Sequence, residues 1–405
     1  MKKATKSLTF SCQVYYPDEQ STSQLFTLAM ERLAIRGYKV KVFCGFPDKS
    51  YQNTVSRLQV HNGVEVERLG FRLSSRKNYL NRALCYASYM ICLFPKLLFA
   101  EAGTRFFAVT NPPFLAWVLA LVSLIRRHRF TFMFLDLHPE GMIVLESLSG
   151  QVWYVRLWKY LNGLSYRRAD KLLVLGRDMV PILSNGYGIK NEIFRYVPHW
   201  SALEFKKPMS FSASKFPQIW GVSDSFVVQY SGNMGLWHDI DAFVMAAKKL
   251  ESHINIQFVF VGDGVRKKRA MSLAREIGVK NIHWKEFVPL SELSESLAAC
   301  HLALISLNKN LEGVAVPCKL YGILASGRPA IAQVPEKSEV AMTVLENRCG
   351  LVVKPGDIEG LVDAIYKLSI DRTAVEQMSI AAFKAYTEFY QIENAVNILE
   401  RELFY

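Results

Sequence analysis

Short apolar runs separated by amphipathic stretches recur along the whole chain. LTFSCQVYY near the start is a strand-like run, and Ser21 to Arg36 has helical spacing. KVKVFC (39–44) alternates polar and apolar positions, as a strand does. FFAVT (106–110), FTFMFLDL (130–137) and KLLVLG (171–176) continue the series, with helical stretches between them. Beyond about residue 205 the alternation begins again with FVVQYSG, IQFVFVGDG, NIHWKEF, HLALIS, RPAIAQV and CGLVV. Each leads into a helical segment such as DAFVMAAKKL or EGLVDAIYKL. Buried β-branched runs alternating with helices predict an α/β protein with parallel sheets covered on both faces. Two such series predict two doubly wound domains, at 1–200 and 218–385. The segment 201–217, with its Ser, Lys and Pro, reads as the linker, and 386–405 as a C-terminal helix returning to the first domain.

A chain of 405 residues, half of them hydrophobic and 21% charged, is long enough for two cores and excludes a disordered polymer. Its seven cysteines are scattered without a C-x-x-C, so neither a disulfide framework nor a structural zinc site is expected and a reducing cytosol fits. MKKATKSLTF is basic but lacks the apolar run of a signal peptide. Charge is the uneven property. Residues 1–200 hold 27 Lys and Arg against 13 Asp and Glu, a net +14, whereas residues 201–405 net −1. A basic half predicts an anionic partner, which can be nucleic acid, acidic lipid or a phosphate-bearing substrate.

ALCYASYMICLFPKLLFA (83–100) is interrupted by Pro95 and Lys96, and FLAWVLALVSLI (114–125) is too short to span a bilayer. Both read as buried helices. In QVWYVRLWKYLNGLSYRR (151–168), Trp153, Tyr154, Leu157, Trp158 and Leu161 share a helical spacing with Arg156, Lys159, Arg167 and Arg168 interspersed. That mixture suits either a membrane interface or a core helix with a basic face. The basic residues are dispersed and match no nucleic-acid motif, so no nucleic-acid partner is expected.

Ligands of open parallel sheets bind beyond the carboxyl ends of the strands, and two facing sheets predict a cleft between domains. Tyr230-Ser231-Gly232-Asn233-Met234-Gly235 ends one predicted strand, and Gly262-Asp263-Gly264 ends the next. Gly232 and Gly235 allow close approach of backbone to a phosphate. Neither turn is a dinucleotide fingerprint or a P-loop. Lys285-Glu286-Phe287-Val288-Pro289 lies where a strand meets a loop that can read a base edge. In Glu312-Gly313-Val314-Ala315-Val316-Pro317-Cys318-Lys319, Pro317 suits a first helical turn and Gly327 its end. Lys319 in that turn is disfavoured by the helix dipole unless an anion lies between them. Glu312, in the preceding loop, is a candidate acceptor for sugar hydroxyls.

Together, YSGNMG-x-x-H-D, FVFVGDG and VPCKLYGILASGRPAIA resemble the donor domain of retaining glycosyltransferase family 4, with the GT-B fold. Similarity is greatest to its polysaccharide, O-antigen and colanic-acid branch. VTNPPFLAW, FLDLHPEGM and the opening strand and helix resemble that family's first domain, so the likeness covers nearly the whole chain. The resemblance implies that Gly232, Asn233 and Gly235 line the donor diphosphate and that Lys319 neutralises it. It implies that Gly262 and Gly264 border the nucleoside, with Val288 and Pro317 beside them, and that Glu312 faces the donor sugar. Asp136 and Glu140 fall on the acceptor side, where Asp136 and His138 orient the acceptor.

The chain departs from the family where many members carry two glutamates eight residues apart. Gly322 and Val314 stand there, so the usual ribose contact is missing and Glu312 is displaced by two positions. The family's Arg and Lys after the first donor-domain strand are replaced by Asn233 and, around the next turn, His238 and Asp239. Ser21-Thr22 replaces its N-terminal Gly-Gly. No metal cofactor is expected. The implied reaction moves a sugar, with retention, from a nucleotide-sugar (UDP favoured over GDP) to a lipid-linked or glycan acceptor. Cytoplasmic placement on the inner face of an anionic membrane is expected. The competing readings are a sugar-nucleotide epimerase and a non-catalytic binding module.

Overall fold

A computed structural model describes residues 6–47, 51, 55–72, 79–145, 147–253 and 255–405. The chain divides into two units. The first comprises Met1–Ala202, Gly313–Ala315 and Ile392–Tyr405; the second comprises Leu203–Glu312 and Val316–Gln391.

The sheet of the first unit contains β1 (Ser7–Ser11), β2 (Lys39–Cys44), β3 (Leu58–His61), β4 (Val64–Arg68), β5 (Arg105–Val109), β6 (Phe130–Phe134), β7 (Lys171–Val174) and β8 (Phe194–Tyr196). Their order is β3-β4-β2-β1-β5-β6-β7-β8. Every neighbouring pair is parallel except β3–β4. That pair is a hairpin closed by Asn62 and Gly63, both at positive φ, 47° and 83°. Asn-Gly between two short runs is a hairpin signal, yet neither this pair nor β8 is among the strands predicted above. LQVH and VEVE on either side of that turn alternate apolar and polar positions, which is a strand pattern. The run LTFSCQVYY is a strand only to Ser11, because Gln13 N donates to Asn111 O instead of to the ladder.

β6 is buried along its whole length, as are the last four residues of β5, which explains their unbroken apolar runs. The C-terminal helix Ile392–Phe404 packs against the helix Ser21–Ile35. Arg36 bridges Glu400 (2.5 Å) and Glu393 (2.6 Å), and the Tyr38 ring stacks 4.0 Å from Phe404.

The helices Tyr79–Leu98, Leu115–Arg126 and Trp153–Tyr166 lie side by side, with Leu115–Arg126 in the middle. Arg126 donates to the carbonyls of Leu98 and Ala100, and Trp117 Nε1 donates to Asn162 Oδ1 at 2.8 Å. Trp158 is half-buried against the Phe114 ring, whereas Trp153 is 73% exposed. The two apolar segments expected to be buried helices are helices with only one face covered. Among the described residues no helix is long and apolar enough to cross a membrane.

The second unit holds β9 (Phe226–Ser231), β10 (Ile256–Val261), β11 (Ile282–Lys285), β12 (Leu302–Ser306), β13 (Ala330–Gln333) and β14 (Gly350–Val353). All neighbours are parallel in the order β11-β10-β9-β12-β13-β14. Winding runs one way from β9 to β11 and the other way from β12 to β14. The topological switch therefore lies between β9 and β12, where such sheets place ligands. Tyr230, Phe243, Phe260 and Trp284 pack beneath these strand ends. In the 201–217 segment, Ser201 and Ala202 fall in the first unit. The remainder packs in the second, where Ser214 Oγ donates to Glu295 O and Lys215 pairs with Glu292 at 2.9 Å.

Candidate functional site

The turns after β9 and β10 interlock. Ser231 pairs in register with Val261, so Gly232–Gly235 and Gly262–Gly264 leave adjacent strand ends. Gly232 N donates to Val261 O (2.9 Å) and Met234 N to Asp263 O (2.8 Å). A Cβ on Gly262 would lie 2.3 Å from Gly232 O, and one on Gly264 would lie 2.5 Å from Met234 O. Both glycines are at positive φ, 131° and 147°. Close approach of one turn to the other thus requires them, independently of any ligand. Gly232 differs: at φ 124° a Cβ would meet nothing nearer than Lys319 at 3.6 Å, so its space is open.

Lys319 begins the helix Lys319–Ala325, with Cys318 as its N-cap and Pro317 one residue earlier. Its Nζ donates to Tyr230 Oη at 2.5 Å and lies 4.0 Å over the Tyr230 ring. It reaches Asn233 O at 3.4 Å, and Tyr230 Oη donates to that same carbonyl at 2.8 Å. No carboxylate pairs with Lys319 among the described residues. Burial pushes its pKa down to about 7. A desolvated ammonium on a phenol and a carbonyl, with no counter-ion, is arranged to receive an anion.

His238 and Asp239 do structural work. The His238 Nδ1 lies 2.6 Å from Ser306 O, and burial, followed by the nearby Lys319 charge, pushes the ring down to about 3. The imidazole is neutral and holds the β9 turn to the end of β12. Asp239 caps the helix Ile240–Lys249 by accepting from Ala242 N. Neither replaces a phosphate-binding cation. Gly322 lies inside its helix, where a Cβ would rest 3.5 Å from Leu297.

The same rim holds two basic residues, Arg266 and Lys267, that the sequence reading passed over. Lys267 is buried and donates to Gly262 O (2.8 Å), pairing with Glu286 at 2.6 Å. Arg266 N donates to Met234 O, and its guanidinium Nε is buried without a partner. The Phe287 ring is 56% exposed beside Gly262. The basic run V-R-K-K-R after Gly264 was the available signal.

The structure gathers Gly232, Asn233, Gly235, Gly262, Gly264 and Lys319 on neighbouring strand ends of the second unit. Val288 lies on the loop after β11, next along the sheet. Glu312 lies in a turn after β12 and precedes the Gly313–Ala315 excursion into the first unit. There Gly313 N donates to Asp178 Oδ2 at 2.8 Å, and a Cβ at Gly313 would meet Asp178 O at 2.3 Å. A groove of about 530 Å³ lined by Asp224, His301 and Arg372 opens at the opposite, N-terminal ends of β9 and β12.

Asp136 belongs to the first unit, just past β6. It forms a bridge with Ala315, and Leu137 N donates to Val314 O at 2.8 Å. Burial raises the Asp136 carboxyl to about 7. His138 is pushed down by burial, and its Nδ1 has no partner. Glu140 does not stand open: its Oε1 accepts from Tyr187 at 2.7 Å and pairs with Lys159 at 3.2 Å.

Residues 213–385 match the family model described as Glycosyl transferases group 1. The protein named glycosyltransferase WbjE of Pseudomonas aeruginosa is 25% identical over 338 residues, covering 82% of this chain and 84% of the relative. WcaI of Escherichia coli K12, named for colanic acid biosynthesis, is 23% identical over 373 residues, covering 87% and 89%. HepE of Anabaena, solved in complex with UDP, has a TM-score of 0.71 at 15% identity, covering 98% of this chain and 99% of that one. The fold of the chain is that of solved GT-B glycosyltransferases. Within this chain, residues 213–385 are the glycosyl transferases group 1 domain.

Proposed function

We propose that the protein transfers a sugar, with retention, from a UDP-sugar to the hydroxyl of a lipid-linked glycan acceptor during assembly of a cell-surface polysaccharide. The work is done on the cytoplasmic face of the membrane. The observation that carries the reading is Lys319, a half-buried cation with no carboxylate partner among the described residues, beside the open Gly232 turn. The names of WbjE and WcaI support the polysaccharide setting, and UDP bound to HepE supports the choice of nucleotide.

In this scheme the bond from the anomeric carbon to the diphosphate breaks as negative charge builds on the leaving oxygen. Lys319 and the N–H groups of the glycine turns stabilise that charge. The acceptor hydroxyl attacks from the same face, its oxygen bonds to the anomeric carbon, and its proton passes to the departing diphosphate. Retention follows without a dedicated protein base. Glu312 accepts hydrogen bonds from the donor sugar, and Asp136 orients the acceptor. Val288 and Pro317 border the nucleotide.

Incubation with labelled UDP-, GDP- and ADP-sugars, with and without a polyprenyl-diphosphate-linked acceptor, tests the reading. UDP-dependent sugar transfer with the donor configuration kept supports it. Donor isomerisation without acceptor would make the protein an epimerase. Binding without turnover would make it a binding module, consistent with Gly322 in place of a glutamate.

A further inference from the structure

Three adjacent helices of the first unit expose many large apolar side chains. On Tyr79–Leu98, Leu84 and Ile91 are exposed seven residues apart, and Phe99 follows at 82% exposure. On Leu115–Arg126, Leu121, Leu124 and Ile125 are exposed; on Trp153–Tyr166, Trp153, Tyr154, Leu157, Tyr160 and Leu164 are. Within the helices most of these positions recur at the three-, four- or seven-residue spacings of one helix face, and Phe99 lies just past the end of the first helix. Because the middle helix packs against both neighbours, the stripes lie side by side. A water-facing surface rarely gathers this many large apolar side chains unless something covers them.

Charge narrows what the cover is. These helices carry Arg82, Lys96, Arg126, Arg156 and Lys159 and not one Asp or Glu. Lys96 and Lys159 are held by Glu67 and Glu140, and Arg126 by backbone carbonyls. Arg127, Arg156 and Arg168 are exposed and make no ion pair among the described residues. By contrast, the helices Ser21–Ile35 and Ile392–Phe404 carry both signs, paired with one another as in Arg32–Glu393. Two-fold pairing of the one-signed face with a second copy would set like charges together. Aliphatic stripes edged by Trp, Tyr and Arg match the boundary between headgroups and acyl chains. None of the three helices is long and apolar enough to cross.

We infer that the outer faces of these three helices form one continuous surface that lies flat on an anionic lipid bilayer. The inference rests on the lipid-linked acceptor proposed above and extends it to a named surface. Apolar side chains from all three helices enter the interface, while Arg127, Arg156 and Arg168 engage lipid phosphates.

The test is flotation of the full chain with phosphatidylcholine vesicles of rising phosphatidylglycerol content, at low and high salt. Wild-type protein floats more as anionic lipid rises and less as salt rises. Ile91→Glu, Leu124→Glu and Trp153→Glu, one per helix, each lower partitioning by about tenfold or more. The milder Leu124→Asn and thermal melts of every variant separate loss of docking from loss of folding. Three outcomes overturn the inference: no flotation of the wild type, an effect confined to Trp153→Glu, or a lipid-free dimer that these substitutions dissociate. Calorimetry with UDP on the same preparations reads the other unit. Loss of UDP binding with flotation intact would refute the transferase reading and leave the docking surface standing.

Discussion

The strand ends of the two units make an instructive pair. Both are carboxyl ends of parallel strands, and both hold a half-buried titratable group shifted toward neutrality. In the second unit the group is Lys319, set on the Tyr230 hydroxyl and the Asn233 carbonyl beside the glycine turns. In the first it is Asp136, followed by His138 and by Glu140, which is locked to Tyr187 and Lys159. Burial drives both to about 7 from opposite sides. One sheet end therefore presents a cation without a carboxylate partner among the described residues, and the other a carboxyl that burial holds near neutrality. The same architecture serves both because the chemistry resides in the residues just past each strand.

Removing the cation tests the second unit hardest. Lys319→Ala should lower turnover by about 100-fold or more, the scale of a lost electrostatic stabiliser. A fully active variant would dissolve the contrast between the two ends. Gly262→Ala comes next: its Cβ overlaps Gly232 O, so the turns separate and UDP affinity should fall about tenfold or more in calorimetry. Preserved affinity would mean that the turns do not form the nucleotide rim.

The pH dependence of stability sharpens the comparison because its sign reverses between units. Asp136 titrates near 7 when folded and near 4 when unfolded, so the folded state holds the extra proton and stability falls as pH rises from about 4 to 7. Lys319 titrates near 7 when folded and near 10.4 when unfolded. The unfolded state then holds the extra proton, and stability rises with pH from about 7 to 10. Thermal melts of Asp136→Asn and Lys319→Met should flatten the first and second windows respectively. A variant that changes the other window instead contradicts the assignment.

Smaller effects belong to the periphery. Glu312→Gln should weaken use of the donor sugar several-fold while leaving UDP binding unchanged; equal losses in both assays would move Glu312 away from the sugar. Asp239→Ala removes a helix cap and should cost about 1 kcal/mol in denaturant unfolding, with kcat nearly intact. A large loss of turnover would return Asp239 to the donor site.

Much of this arrangement was legible in the chain. The alternation of KVKVFC marks β2 residue for residue, and the two glycine turns were placed correctly after β9 and β10. The β3–β4 hairpin carried its signal both in Asn62-Gly63 and in the alternation of LQVH and VEVE around it. Arg266 and Lys267 were visible only as a basic run, because a helix-initial Lys that bonds a carbonyl five residues back looks no different in sequence from a solvated one.

What the sequence by itself determined was the class of architecture, two wound α/β units, and the residue types at their strand ends. Periodicity and turn chemistry are local, and local interactions are written in neighbouring letters. Tertiary structure alone decided that Lys319 rests on Tyr230, 89 positions away, and that Gly262 is glycine because another turn's carbonyl lies against it. It alone placed the exposed stripes of three separate helices side by side. Each of these depends on which strands and helices become neighbours, and that is settled by how the whole chain buries its apolar surface.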